Sequence, residues 1–167
     1  MREIKFRGKA KMSIEELDDL YLEHENGWVY GHLVMYGKTP YIVGDFIEVD
    51  SEYTVNEFWV PVYPESVGQF TNLKDNNVKE IYEGDICETV TVSGKPFGTI
   101  DVVKFINGSF QLVDIDDSLL PINLGDKDIF SVEVIGNIFE HKDLLDEYNN
   151  ILEQFVSEVE KALEGEE

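Results

Sequence analysis

Residues 2–8 alternate, with Ile4 and Phe6 on one side and Glu3, Lys5 and Arg7 on the other, the period of a half-buried strand ended by Gly8. Ser13 with Glu16 three positions on is a capping-box pattern, and Ile14, Leu17, Leu20 and Tyr21 recur at helical spacing until Asn26-Gly27. A short helix is expected there. Trp28–Tyr36 is rich in residues that suit a pleated surface, Gly37-Lys38-Thr39-Pro40 breaks it, and Tyr41-Ile42-Val43 resumes, which reads as a hairpin. Between 45 and 59, acids mix with Phe46, Ile47, Val49, Tyr53, Val55, Phe58 and Trp59, leaving a strand pair and irregular structure both open. Val60-Pro61-Val62-Tyr63-Pro64 then forces an extended stretch.

From residue 67 the pattern sharpens. Gly68–Thr71 looks like a strand, Asp75-Asn76-Asn77 a turn, and Ile81–Glu88 a tight bend into another strand. Further strands are expected at 86–92, 98–106, 109–115 and 132–139, with turns at Ser93-Gly94-Lys95-Pro96 and at Asn107-Gly108, the latter a strong hairpin signal. Short consecutive strands with tight turns suggest a small antiparallel sheet or barrel. The last 25 residues change period: Leu145, Tyr148, Leu152, Phe155, Val159 and Ala162 follow three-four spacing, widened by Leu144, Ile151, Val156 and Leu163. This predicts a long amphipathic helix. At roughly 20 residues it is marginal alone in water, so its stripe needs cover from its own domain or from another copy of itself. Leu145, Tyr148, Leu152, Phe155 and Val159 are therefore the candidate oligomer interface.

Composition narrows the chemistry. Ten Phe, eight Tyr and two Trp in 167 residues argue for a folded body. The single Cys87 permits no intramolecular disulfide and no Cys-based zinc site, which fits a reducing compartment. No apolar run approaches a membrane span and the start lacks a signal-peptide stretch, so a cytoplasmic protein is expected, with no membrane partner. His24, His32 and His141 form no chelating pattern, and no phosphate-cradling loop or nucleophile elbow is present. Asp114, Asp116 and Asp117 come closest to a metal cluster, but they lack the glycine and distal Glu of a calcium loop and read as a solvated strand end. No catalytic, cofactor or metal residue is assigned.

Net charge is -22. Residues 1–12 hold five bases and one acid, residues 13–139 six bases and 24 acids, and residues 140–167 two bases and ten acids. Such a field repels phosphate backbones and argues against nucleic acid as a partner. The basic arm Arg2, Lys5, Arg7, Lys9 and Lys11 is expected to serve as an internal counter-charge.

Gly68–Asp75 with Lys79–Ile86 resembles the YopX family, small proteins of bacteriophages and prophages. The opening Arg2–Gly8, then Trp28-Val29-Tyr30-Gly31-His32-Leu33, and finally Val134–Glu140, are similar to that family's start, its early Trp-x-Tyr-Gly element and its closing strand. Where the family usually has Gly, this chain has Asn72 and Val78; Asn76 or Asn77 is expected to take the positive φ that the turn wants. The resemblance implies an α+β, mostly strand fold and a phage or prophage origin, in a bacterial cytoplasm. It implies no activity. Its motif residues Trp28, Tyr30, Gly68, Phe70, Tyr82, Gly84 and Asp85 read as fold residues, Glu83-Gly84-Asp85-Ile86 being similar to the turn that opens strands in SH3-like barrels. One domain over 1–145 is expected, with a soft boundary near residue 62 and a helical extension over 146–167. The functional expectation is a non-enzymatic accessory protein acting through protein contact, as a homo-oligomer or with an unidentified host or phage protein. The alternative is an acidic decoy that occupies a basic nucleic-acid-binding protein.

Overall fold

The alternating segments become antiparallel strands in two main sheets. A computed structural model describes residues 2–90, 96–114, 120–125 and 131–164. The chain divides into one unit built from residues up to Lys74 with Val78–Glu83, and a second built from Asp75–Asn77 and the chain from Gly84 onward.

The first unit runs β1 (Phe6–Lys9), α1 (Ile14–Asp19), β2 (Trp28–Tyr36), β3 (Thr39–Val43), β4 (Phe46–Val49), β5 (Thr54–Asn56), β6 (Trp59–Pro61), β7 (Gly68–Lys74) and β8 (Glu80–Tyr82). Six strands pair in the order β6-β3-β2-β1-β7-β8, while β4 and β5 pair only with each other. The hairpin β2–β3 closes at Tyr36↔Thr39 around Gly37, as its sequence predicts. Ala10, Leu17, Val29, Ile42, Val60 and Val62 make the core. Val62 is wholly buried, so residue 62 lies inside this unit and the chain changes unit at 74–84.

Two expectations are corrected here. The helix forms with its capping box complete, Glu16 N–H donating to Ser13 Oγ at 3.2 Å and Ser13 N–H to the Glu16 carboxylate at 2.8 Å, but it stops at Asp19 instead of reaching Asn26. Only Leu17 of its apolar stripe is buried, its last turn carries acids and no base, and Tyr21, 94% exposed, turns the chain out with φ 54°. The first strand begins at Phe6, later than expected, and its faces are reversed in importance: Ile4 is 63% exposed whereas Arg7 is 7% exposed. Residues 3–5 follow β7, with Phe70 N–H donating to Lys5 C=O and Asn72 holding both backbone groups of Glu3.

The second unit runs β9 (Asp85–Val90), β10 (Pro96–Ile106), β11 (Ser109–Asp114), β12 (Ile122–Asn123), β13 (Ser131–Asn137) and α2 (Lys142–Glu164), with sheet order β12-β11-β10-β9-β13. Asn107 and Gly108, at φ 51° and 86°, make the primed turn that their sequence signals. The two-residue β12 was not expected. Turn residues 93–95, the strand ends expected at 92 and 115, and Asp116 and Asp117 lie outside the described residues. Both sheet orders end on edge strands, so the antiparallel, mostly strand expectation holds as open sheets, and no barrel closes among the described residues. Cys87 is a buried strand thiol in the core with Ile86, Val103 and Leu112.

The turn Asp75–Asn77 corrects a third expectation. Positive φ falls on Asn72 at 65° and on Val78 at 67°, not on Asn76 or Asn77. Asn76 N–H is bonded to Val132 C=O and Asn77 N–H to Asp75 Oδ1, while Asp75 Oδ2 accepts from Val134 N–H. With those residues pinned, the reversal is pushed onto Val78, whose side chain is 69% exposed.

The closing helix is where its period predicts. None of its described side chains is buried: Leu144, Leu145, Tyr148 and Leu152 are half-buried, and Ile151, Phe155 and Val156 are more than half exposed. Val159's side chain lies outside the described residues. No described helix is long and apolar enough to cross a membrane.

Candidate functional site

Strand β1 places Arg7 opposite Tyr30 of β2 and Gly68 of β7. Its guanidinium carbon sits 4.8 Å from the Trp28 ring centre and 4.9 Å from that of Tyr82, stacked against both. Tyr30 and Phe70 pack on Tyr82 at 5.7 and 5.4 Å, and Lys5 lies 5.0 Å over Phe70. A planar, weakly hydrated guanidinium suits burial between rings as an ammonium does not. A side chain at position 68 would run into the Glu83 carbonyl, so Gly68 lets β7 lie this close.

Trp28, Tyr30, Gly68 and Tyr82 therefore meet around one arginine, and Phe70, the fifth motif residue, joins them through Tyr82. Gly84 and Asp85 serve the second unit instead: Gly84, at φ 83°, donates to Val103 C=O and accepts from Ile138 N–H, and Asp85 is fully buried opposite Asn137.

The polar edge of the cluster is a fixed network. Lys5 Nζ donates to both Glu80 oxygens at 2.8 and 2.7 Å, and Tyr82 O–H donates to Glu80 at 2.6 Å. Burial pulls the Glu80 carboxyl up, but hydrogen bonds from Lys5 and Tyr82 and the Lys5 and Lys74 charges outweigh it and hold it below its ordinary value. Burial, with the bond to Glu80, pushes the Tyr82 phenol up, so it remains a donor. Lys9 Nζ donates to Asn26 C=O and lies 5.8 Å from the Trp28 ring, and Lys11 lies 5.9 Å from the Tyr63 ring. Lys5, Arg7, Lys9 and Lys11 are thus engaged inside their own unit.

Beside this cluster a groove of about 1170 Å³ opens where β1 parts from β2. Pairing of the two strands stops at Phe6↔Gly31, and among the described residues His32–Tyr36 pair with β3 alone. The lining comes from residues 2–5, from Glu23, His24 and Glu25, from Tyr30, Gly31 and His32, and from Gly44, Asp45, Glu57 and Phe58. Its carboxylates, Glu3, Glu23, Glu25, Asp45 and Glu57, outnumber its bases, Arg2 and Lys5. His24 and His32 each bond an aspartate through Nε2 at 3.1 Å, Asp18 and Asp45 respectively, and Tyr30 O–H donates to Glu25. The walls are negative and hydrogen-bonding, with Ile4, Tyr30 and Phe58 supplying apolar surface. Such a groove suits a cationic ligand with an apolar body.

The remaining candidates lie apart. His141 Nδ1 accepts from Asn137 N–H at the approach to α2. Asp114 is buried directly across from Asp101 of β10, which accepts from Thr89 Oγ1 at 3.1 Å. Burial raises the Asp101 carboxyl above its ordinary value; the Thr89 bond opposes this and the Asp114 charge adds to it. Among the described residues no three His, Cys, Asp or Glu side chains converge to hold a metal ion. Sequence reasoning missed the buried Arg7 stack and the groove. No local pattern signals the stack, because its rings come from β2 and β8, far from Arg7 in sequence.

Comparison with curated proteins yields no match. The family described as YopX protein matches residues 5–146, which takes in both sheets and the groove's β2 wall. On that match, covering most of its length, the chain belongs to the YopX family.

Proposed function

We propose that this chain is a non-enzymatic accessory protein of a phage or prophage that works through protein contact and assembles with copies of itself along α2. The observation that carries the reading is the incompletely covered stripe of a 23-residue helix, on which Leu144, Leu145, Tyr148 and Leu152 are half-buried while Ile151, Phe155 and Val156 are more than half exposed. Leu145, Tyr148, Leu152, Phe155 and Val159 repeat at the three-four spacing of a coiled-coil seam. The neighbouring positions Leu144, Asn149, Ile151 and Val156 are uncharged and Glu158, beside Val159, is the charged one, while Asp146, Glu147 and Glu153 fall outside the seam. Over residues 144–156 like-charge repulsion between copies is therefore set away from the contact.

Sedimentation of the full chain tests this. At micromolar concentration the native chain runs heavier than one copy, and the double variant Leu152→Glu, Phe155→Glu runs as one copy with an unchanged melting profile of its sheets. A native chain that sediments as one copy refutes the assembly.

A further inference from the structure

The ribbon β4–β5 is an exposed apolar element of the first unit. All four residues of β4 are exposed, and Phe46, Ile47, Val49, Tyr53 and Val55 range from 41% to 67% exposure. A two-stranded ribbon is at best marginally stable by itself in water, and apolar surface gathered this way marks a contact site. Its foot is the groove: Glu57 N–H donates to Asp45 C=O, Asn56 Nδ2 to Gly44 C=O, and Gly44, Asp45 and Glu57 all line the groove wall.

Charge decides what covers it. Residues 45–57 carry Asp45, Glu48, Asp50, Glu52 and Glu57 and no base. The groove adds Glu3, Glu23 and Glu25, and Lys5, one of its two bases, is already held by Glu80. A second copy would bring the same carboxylates against these, and anionic lipid or nucleic acid is repelled in the same way. The complement is a protein segment with Lys or Arg beside apolar side chains. The backbone edge of β2 from His32 to Tyr36, paired only with β3, admits such a segment in extended form.

We propose that the ribbon and the groove at its foot form one docking surface for an extended, Lys- or Arg-bearing segment of another protein. Its apolar side chains cover Ile47 and Val49, and its cations lie against Glu23, Glu25, Asp45 and Glu57. The surface lies in the first unit and does not depend on pairing through α2.

Three fluorescent peptides of about twelve residues test it against the full chain at physiological salt, alternating Lys with Leu, Lys with Ser, and Glu with Leu. The Lys–Leu peptide binds at least about tenfold tighter than the other two, since both charge and apolar cover are needed. Ile47→Thr with Val49→Thr, and separately Asp45→Asn with Glu57→Gln, each weaken it about tenfold. Glu147→Gln with Glu153→Gln, removing the same charge from α2, leaves it unchanged. Equal binding of the Lys–Ser peptide, indifference to the ribbon variant, or equal weakening by the α2 variant would reduce the binding to net charge and overturn the proposal. A fall in the mass of the native assembly on Ile47→Thr with Val49→Thr would also overturn it, because the occupant would then be a second copy. Leu152→Glu with Phe155→Glu disperses the assembly without moving peptide affinity, so failure of the α2 reading is seen separately.

Discussion

Arg7 is the residue on which the first unit's motif converges, and its value lies in its shape as much as its charge. Lysine at this position keeps the charge but cannot stack flat against Trp28 and Tyr82, so Arg7→Lys lowers stability by about 1–3 kcal/mol, read as a fall in melting temperature. Val78 carries the opposite kind of lesson. A β-branched residue at φ 67° is strained, and its exposed side chain contributes little packing. Val78→Gly relieves the strain, offset in part by the freer unfolded chain, and raises stability by about 1 kcal/mol in denaturant unfolding.

Two carboxyls give the units opposite responses to acid. Glu80 is held below its ordinary value when folded, so its contribution is present above the unfolded carboxylate range and is lost as pH falls through that lowered value. Asp101 is raised when folded, so its contribution is present below the unfolded value and is lost as pH rises through the raised one. Melting at about pH 7 and about pH 3 separates them. Glu80→Gln costs more stability at neutral pH than in acid, whereas Asp101→Asn is more favourable at neutral pH than in acid. Equal effects at both pH values for either variant would contradict its assignment.

At the scale of elements, what the sequence reveals is what neighbours in sequence decide. The hairpin β2–β3, the Asn107-Gly108 turn and the period of α2 depend on residues a few positions apart, and each forms where its pattern lies. The Arg7 stack does not: Lys5 and Glu80 of the same network stand 75 positions apart, and nothing in either local pattern announces the other. The length of α1 was misjudged because spacing cannot tell that Ile14, Leu20 and Tyr21 find no surface to cover. The groove was hidden for a related reason, since strand alternation carries through residues 3–5 while the chain there follows β7 and leaves β2. Asn72 is the tack that directs this. Asn72→Gly keeps the backbone conformation but loses both bonds to Glu3, so amide exchange over residues 3–5 quickens with little change in global stability.

For the whole molecule, the same surplus of acid has two consequences. It sets the outer face of α2 apart from a nearly uncharged seam, and it surrounds the exposed ribbon with carboxylates, so these two apolar surfaces suit different partners. In the readings proposed above, a copy of the chain covers the first and a cationic segment the second. Whether another copy covers α2, as proposed, is read from amide exchange of the full chain across protein concentrations. If copies pair through this helix, protection over residues 145–156 deepens as concentration rises, while protection of the two sheets stays constant. Exchange in α2 that is equally fast at every concentration would contradict the account.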